Sequence, residues 1–362
     1  MDGNAPVITL QVPPSAEPFF TSAEILPGRG MMTLQLRARL PGRGEVDLLA
    51  SPPLDEALAR LARSAGPFPG NESFFFGGAV LIPFANRIRG TVSADNRSIT
   101  TRIRGREVTL PANFGGLRLG AERVAMHGLI LDSQVGAIER RTAAGEDAVR
   151  GVLQAGDFGH GWPSRTEITF ENVLRADSFR LTVTARNVGD ETLPIGIGWH
   201  PYFALPSGRR EAARLRIPAR RRALVNDADE VLPTGEVEAV AGTPYDFSRP
   251  GGRPLGEFRL DDCFVDLETA AGEAGIEAVV EVIDPAAAYG LRVVAASPPV
   301  RAIQVYAPAD AAFVAVEPQL NWGDPFGSQW GPEVDTGMAL LAPGEAVVYC
   351  ARLELFRPPA LP

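Results

Sequence analysis

Residues 178–187, SFRLTVTARN, alternate Phe179, Leu181, Val183 and Ala185 with Arg180, Thr182, Thr184 and Arg186. A period of two with one apolar and one polar side is the pattern of a strand that buries one face and wets the other. The same rhythm recurs along most of the chain. RSITTRIRGREVTL (97–110) reads as two strands around the turn RGRE, and AVVEVID, LRVVAAS, AIQVYAP, FVAVEP and AVVYCARLELF are further short runs rich in Val, Ile or aromatics. Each is bounded by Gly, Pro or Asp, the residues that end strands and build turns. One segment departs from the rhythm. PLDEALARLARSAG (53–66) sets Leu54, Leu58 and Leu61 at helical spacing, with Asp55 and Glu56 in the first turn and Gly66 beyond the end; acidic residues there suit the helix dipole. Many strands, one clear helix and no internal repeat predict an all-β, large antiparallel sandwich or barrel. The 38 Gly and 32 Pro are spread through turns such as GRGE, AAGED, PSGRR and RPGGRP rather than gathered in a linker. Residues 1–362 therefore read as a single domain, with N-terminal strands and the helix near 53–66 in its 1–77 segment.

Charge and cysteine content narrow the function classes. The net charge of -9 disfavours nucleic acid, whose phosphates it would repel. All 35 basic residues are arginine, which we read as base composition of the gene; the cluster RLRIPARRR (214–222) is followed three residues later by acidic NDADE and reads as a solvated strand edge or loop. The two cysteines, Cys263 and Cys350, lie in apolar stretches and read as buried thiols, too few for a disulfide framework. MDGNAPVITLQVPP has neither a basic start nor an apolar core, and no run is long enough for a transmembrane helix. The expectation is a cytoplasmic protein with no membrane and no nucleic-acid partner.

Hard polar groups interrupt apolar strands at a few places. VAMHGLI (124–130) and GIGWHPYF (196–203) hold two of the three histidines, followed by Gly128 and Pro201, which end pairing and leave a ring at a sheet margin. Histidine is the side chain whose ordinary pKa lies nearest neutrality, so a cleft that moves protons would use it. In FVAVEPQL (313–320), alternation puts Glu317 on the face of Phe313 and Ala315, where a carboxylate is costly unless it is paired or lines a wet pocket. Asp261 and Asp262 abut an apolar run, and VLIPFANRIRG (80–90) ends in Asn86, Arg87 and Arg89. Two His and a Glu could ligate zinc in principle, but no histidines lie at close paired spacing, and no resident metal is expected. Phosphate-loop and G-x-S-x-G motifs are not present.

Taken in order, PFANRI with Arg87, HGL with His127, WHPYF with His200, LPTGE (232–236), LDDCF with Asp261 and AVEP with Glu317 resemble the aldose 1-epimerase (galactose mutarotase) family over roughly residues 78–356. The resemblance implies a large antiparallel β-supersandwich and a small-molecule sugar substrate, without metal or organic cofactor. It implies Glu317 as catalytic base and His200 as acid, with His127, Arg87 and Asp261 binding the sugar. Asn86 joins the substrate-binding candidates, as does Trp199, which with Tyr202 and Trp322 could offer a flat face to sugar C–H groups; for Tyr202 we expect core packing. A monomer or homodimer is expected. Departures border the pocket: Trp199 precedes the histidine, Phe203-Ala204-Leu205 follows the tyrosine, Asp262 follows Asp261, and His160 has no assigned role.

The chemistry implied is ring opening and closing of an aldose, which removes a proton from the C1 hydroxyl and delivers one to the ring oxygen. One acceptor and one donor suffice. With ordinary values of about 4.3 for Glu and about 6.5 for His, Glu317 would serve as base, whereas His200 would need a neighbouring carboxylate to raise its pKa. Three rivals stay open at this point: a hexose-6-phosphate 1-epimerase using Arg87 and Arg89, a glycoside hydrolase or lyase pairing Glu317 with an aspartate at 261 or 262, and a sugar-binding module without activity.

Overall fold

The computed structural model describes residues 7–63, 66–273, 275–297 and 300–359. Two large sheets dominate, and every pairing is antiparallel. The alternating segment becomes the strand Ser178–Asn187, with Phe179, Leu181, Val183 and Ala185 buried as its pattern requires. It lies in the second sheet, between Thr166–Arg175 and Ala346–Phe356. The predicted pair around RGRE forms as Ser98–Ile103 and Arg106–Pro111.

The first sheet is the one that matters for function. Its centre runs through Met32–Leu40, Gly78–Leu81, Gly198–Ala204, Phe313–Gln319, Ala302–Ala307 and Leu260–Leu267, each hydrogen-bonded to the next. One face of this run carries Trp199, Phe203, Val314, Val316, Ile303, Val305 and Phe264. These pack with Phe170, Phe179, Leu181, Leu291, Val293 and Leu353 of the second sheet into one core cluster. Phe179 and Trp199 meet across the interface at 6.0 Å between ring centroids. Interdigitated inner faces of this kind make the core of a β-sandwich, and the expected large antiparallel architecture is what the chain adopts.

The helix forms over Leu54–Arg63, with Arg60 and Arg63 in its last turn. Ala57 and Leu61, flanked by Leu54 and Leu58, pack on Leu26, Met32, Leu34 and Phe76. It thus covers the first sheet near its N-terminal strands; residues 64 and 65 of the predicted 53–66 span lie outside the described residues. A small three-stranded sheet, Phe114–Gly115, Arg123–Met126 and Arg87–Ile88, stands over the other face of the central run and delivers two further site residues.

Candidate active site

Strand register builds the floor of the site. Gly198 pairs with Gln319 and Tyr202 with Ala315, so His200 lies opposite Glu317. Glu317 in turn pairs with Gln304 on the following strand. Two residues along, Tyr202 faces Ala315, Ala315 faces Tyr306, and Tyr306 faces Asp261. Side chains two apart share a face, and directly paired residues stand side by side across strands. Two adjacent cross-strand rows therefore project into one cavity of about 450 Å³, lined by His200, Glu317, Gln304, Tyr202, Tyr306 and Asp261.

The wall comes from the small sheet. Arg87 and Met126 are register partners, which sets Asn86–Arg87 beside His127. Both Asn86 (φ 62°) and His127 (φ 63°) are left-handed, and the His127 amide donates to the Asn86 carbonyl at 2.9 Å. Such strain in non-glycine residues is held only where the surroundings over-determine it, commonly at functional sites. Gly128 follows at φ 81°, with the Ile82 carbonyl oxygen 2.4 Å from where a Cβ would sit; only glycine lets this turn press so closely on its neighbour. Asn86, Arg87, Gln304 and Asp261 then close a hydrogen-bonded circuit. Arg87 donates to Asn86 Oδ1 (3.1 Å), Asn86 to Gln304 Oε1 (3.0 Å) and Gln304 to Asp261 Oδ1 (2.8 Å). Arg87 Nη2 lies 3.7 Å from Asp261 Oδ2.

His127, His200 and Glu317 are the least satisfied of these groups. His200 Nε2 sits 3.3 Å from Glu317 Oε1, and the His127 ring meets the His200 ring edge-on at 4.8 Å. Among the described residues, both ring nitrogens of His127, Nδ1 of His200 and Oε2 of Glu317 lack hydrogen-bond partners although buried. Buried polar groups are normally paired, so three in one cavity mark a place built for something other than stability.

Burial also sets their protonation. Desolvation, followed by the charges of His200 and Arg87, pushes His127 well below the ordinary histidine value. Desolvation lowers His200 to about 4. Glu317 is pushed well above the carboxylate range by desolvation, then by Asp261. This reverses the expectation that a neighbouring carboxylate would raise His200 while leaving Glu317 an ordinary base: loss of water outweighs the attraction of the pair. Burial favours the uncharged arrangement of the two. Protonated Glu with neutral His holds the same single proton as carboxylate with imidazolium, so the pair titrates as a unit. Asp261 is raised in the same way, by desolvation.

The structure gathers six of the seven sequence candidates, Glu317, His200, His127, Arg87, Asp261 and Asn86, around one cavity. Trp199 is the correction. It is fully buried in the inter-sheet core, because it is one residue from His200 on a strand and so points to the opposite face. Trp322 likewise packs on Trp330 away from the cavity. Tyr202 is buried and packed on Phe313 as expected, and it also lines the cavity, donating to the Phe74 carbonyl at 2.7 Å. Arg89 is held by Glu122 at 2.7 Å. Gln304 and Tyr306 were missed, although alternation in AIQVYAP already sets them on one face. Asp229 could not have been found locally: its carboxylate accepts the amides of Leu117 (2.8 Å) and Arg118 (3.2 Å), joining two loops at the cavity mouth. Cys263 and Cys350 are free thiols. A larger groove of about 690 Å³ beside Thr9, Glu24 and Arg37 holds no histidine, and Glu24 there is paired with Arg37 at 2.8 Å.

Comparison with known proteins bears on the family and the fold. The chain is 27% identical to galactose mutarotase of Sus scrofa over 188 residues, 51% of this chain and 49% of that protein. It is 35% identical to the uncharacterized protein YphB of Escherichia coli (strain K12) over 81 residues, 22% of this chain and 26% of that one. The chain thus matches about half or less of the length of these relatives. Among solved structures, a galactose mutarotase-like protein from Clostridium acetobutylicum superposes with a TM-score of 0.72 at 17% identity, covering 97% of this chain and 99% of that one. A GalM/aldose epimerase homologue from C. elegans gives 0.70 at 18%, over 97% and 99%; at such identities these two speak to the fold. The sequence model described as aldose 1-epimerase matches residues 59–349, and the chain belongs to the aldose 1-epimerase family.

Proposed function

We propose that the protein is an aldose 1-epimerase that interconverts the α and β anomers of a free aldose, with His200 and Glu317 as the proton-handling pair. The observation that carries this reading is that pair: an imidazole and a carboxylate 3.3 Å apart, buried, on the floor of an open cavity. Together they hold one proton, so they offer one donor and one acceptor, which is what ring opening requires. Removing the C1 hydroxyl proton while protonating the ring oxygen yields the open aldehyde; rotation about C1–C2 and the reverse transfers close the ring on the other face. Because closing mirrors opening, the pair returns to its starting state after each turnover. Each positioned group is worth on the order of 10²–10⁴ in rate.

Arg87, tied into the Asn86–Gln304–Asp261 circuit, presents a guanidinium in fixed orientation toward the sugar oxygens, and charge-assisted donors of this kind are the strong ones. His127, kept neutral by burial, can accept from or donate to a hydroxyl without adding a charge. Asp261 accepts from ring hydroxyls. The lining aromatics Tyr202, Tyr306, Phe74 and Phe114 supply apolar surface for C–H groups.

The hexose-6-phosphate reading loses one of its two arginines, since Arg89 is paired with Glu122. The hydrolase reading leaves both histidines without a duty. Polarimetry on freshly dissolved α-D-glucose and α-D-galactose tests the proposal: the approach to equilibrium is expected to quicken in proportion to protein concentration. An unchanged rate across a panel of hexoses and pentoses would sink it.

A further inference from the structure

The cluster His127, His200 and Glu317 has a second chemical capacity. One donor atom from each residue lies within 4.8 Å of the other two. Two imidazole nitrogens and a carboxylate oxygen are the donor set of a three-ligand zinc site whose fourth position stays open. Bonds of about 2.0–2.2 Å in tetrahedral geometry put donor atoms roughly 3.3 Å apart. His200 Nε2 and Glu317 Oε1 already stand at 3.3 Å. His127 is the donor that must approach, and neither of its ring nitrogens is held by a hydrogen bond among the described residues. No hydrogen bond of the ring among the described residues has to be broken for it to approach, though it must slide on Phe74, 5.2 Å away. Arg87, the nearby cation, lies 3.7 Å from Asp261, which offsets part of its charge, although that charge still reaches all three ligands. The open position would face the cavity, where water or a sugar hydroxyl could occupy it.

We propose that His127, His200 and Glu317 form an inhibitory binding site for a zinc-class divalent ion, occupied in competition with the sugar. The ion is a blocker rather than a resident cofactor. It ties up both members of the proton-handling pair, and none of the orphaned ligand nitrogens has the outer hydrogen bond that tightens a dedicated metal site. The proposal shares side chains with the epimerase reading, but binding of the ion does not require that reading to be right.

The test uses untagged full-length protein, stripped with a chelator and dialysed, then titrated calorimetrically with Zn²⁺. One ion per chain is expected. Glu317→Gln and His127→Ala, checked for an unchanged circular dichroism spectrum and melting temperature, are expected to weaken binding by at least about tenfold, whereas Cys263→Ser and Cys350→Ser leave it unaltered. Co²⁺ should give the absorption spectrum of a tetrahedral nitrogen–oxygen site. Zinc that fails to bind, or binds Glu317→Gln and His127→Ala as tightly as the parent, overturns the proposal. A protein that accelerates anomer exchange yet ignores zinc overturns only the metal site. One that binds zinc as described yet never accelerates exchange overturns the epimerase reading and the inhibitory role with it, and leaves the ion site standing.

Discussion

Two regions of the molecule handle buried charge in opposite ways. On the second sheet, Asp147 is as little exposed to solvent as Glu317 but lies nearer the surface of the molecule, and its carboxylate is fully employed. It takes the Gln11 amide at 3.0 Å, Arg140 at 3.1 and 2.5 Å, and the Thr142 hydroxyl at 3.1 Å. Burial alone would raise its pKa, but these bonds outweigh burial and lower it. In the cavity, Glu317 has one oxygen 3.3 Å from His200 and the other with no partner among the described residues, and its pKa moves up. Both are shielded from solvent, but Glu317 lies deep in the molecule and Asp147 near its surface, so depth and the supply of donors together separate the two roles. A carboxylate surrounded by donors is held as an anion and fastens strands together; one left short of donors keeps a proton within reach and can pass it on.

That contrast can be broken experimentally at three strengths. His200→Asn should have the largest effect, lowering the catalysed rate of anomer exchange by on the order of 10²–10⁴. The same variant carries a pH signature. Burial pushes His200 down to about 4 in the folded protein, below the ordinary 6.5. Between those values the unfolded chain takes up a proton that the folded one refuses, so the contribution is complete above pH 6.5 and disappears as pH falls toward 4. Denaturant unfolding at pH 7 and pH 5 should show the parent losing about 2 kcal/mol more than His200→Asn, at 1.36 kcal/mol per pH unit; parallel losses would mean that the histidine is not buried neutral.

Asp147→Ala should do the reverse: lower stability by about 1–3 kcal/mol, because buried donors lose their acceptor, and leave anomer exchange unaltered. A loss of activity at unchanged stability would erase the distinction between the two carboxylates. Arg175→Ala is the smallest change. Arg175 pairs with Glu146 at 2.6 Å on the exposed side of the same sheet, and such pairs contribute about 0–1 kcal/mol. Its unfolding midpoint should barely move, and move less still in high salt; a shift as large as that of Asp147→Ala would show that exposure does not grade these ion pairs.

Much of this was legible before any coordinates. Alternation marked Ser178–Asn187, Phe313–Gln319 and the strand pair at 98–111, and leucine spacing marked the helix Leu54–Arg63. Polar residues out of place in apolar runs picked out His127, His200, Asp261 and Glu317. Applied more strictly, the same rule would have rejected Trp199 and admitted Tyr202, Gln304 and Tyr306, since neighbours along a strand point to opposite faces.

Which faces are apolar and which residue types are available for proton transfer follow from side-chain chemistry and a local period of two, and so are readable along the chain. That His200 stands opposite Glu317, that Asp229 clasps the loop of Leu117 and Arg118, and that the histidine is driven down and the glutamate up in pKa emerge only from the packed strands. Register joins residues far apart in the chain, and desolvation depends on everything packed around a group. Neither quantity is carried by the few residues on either side of it.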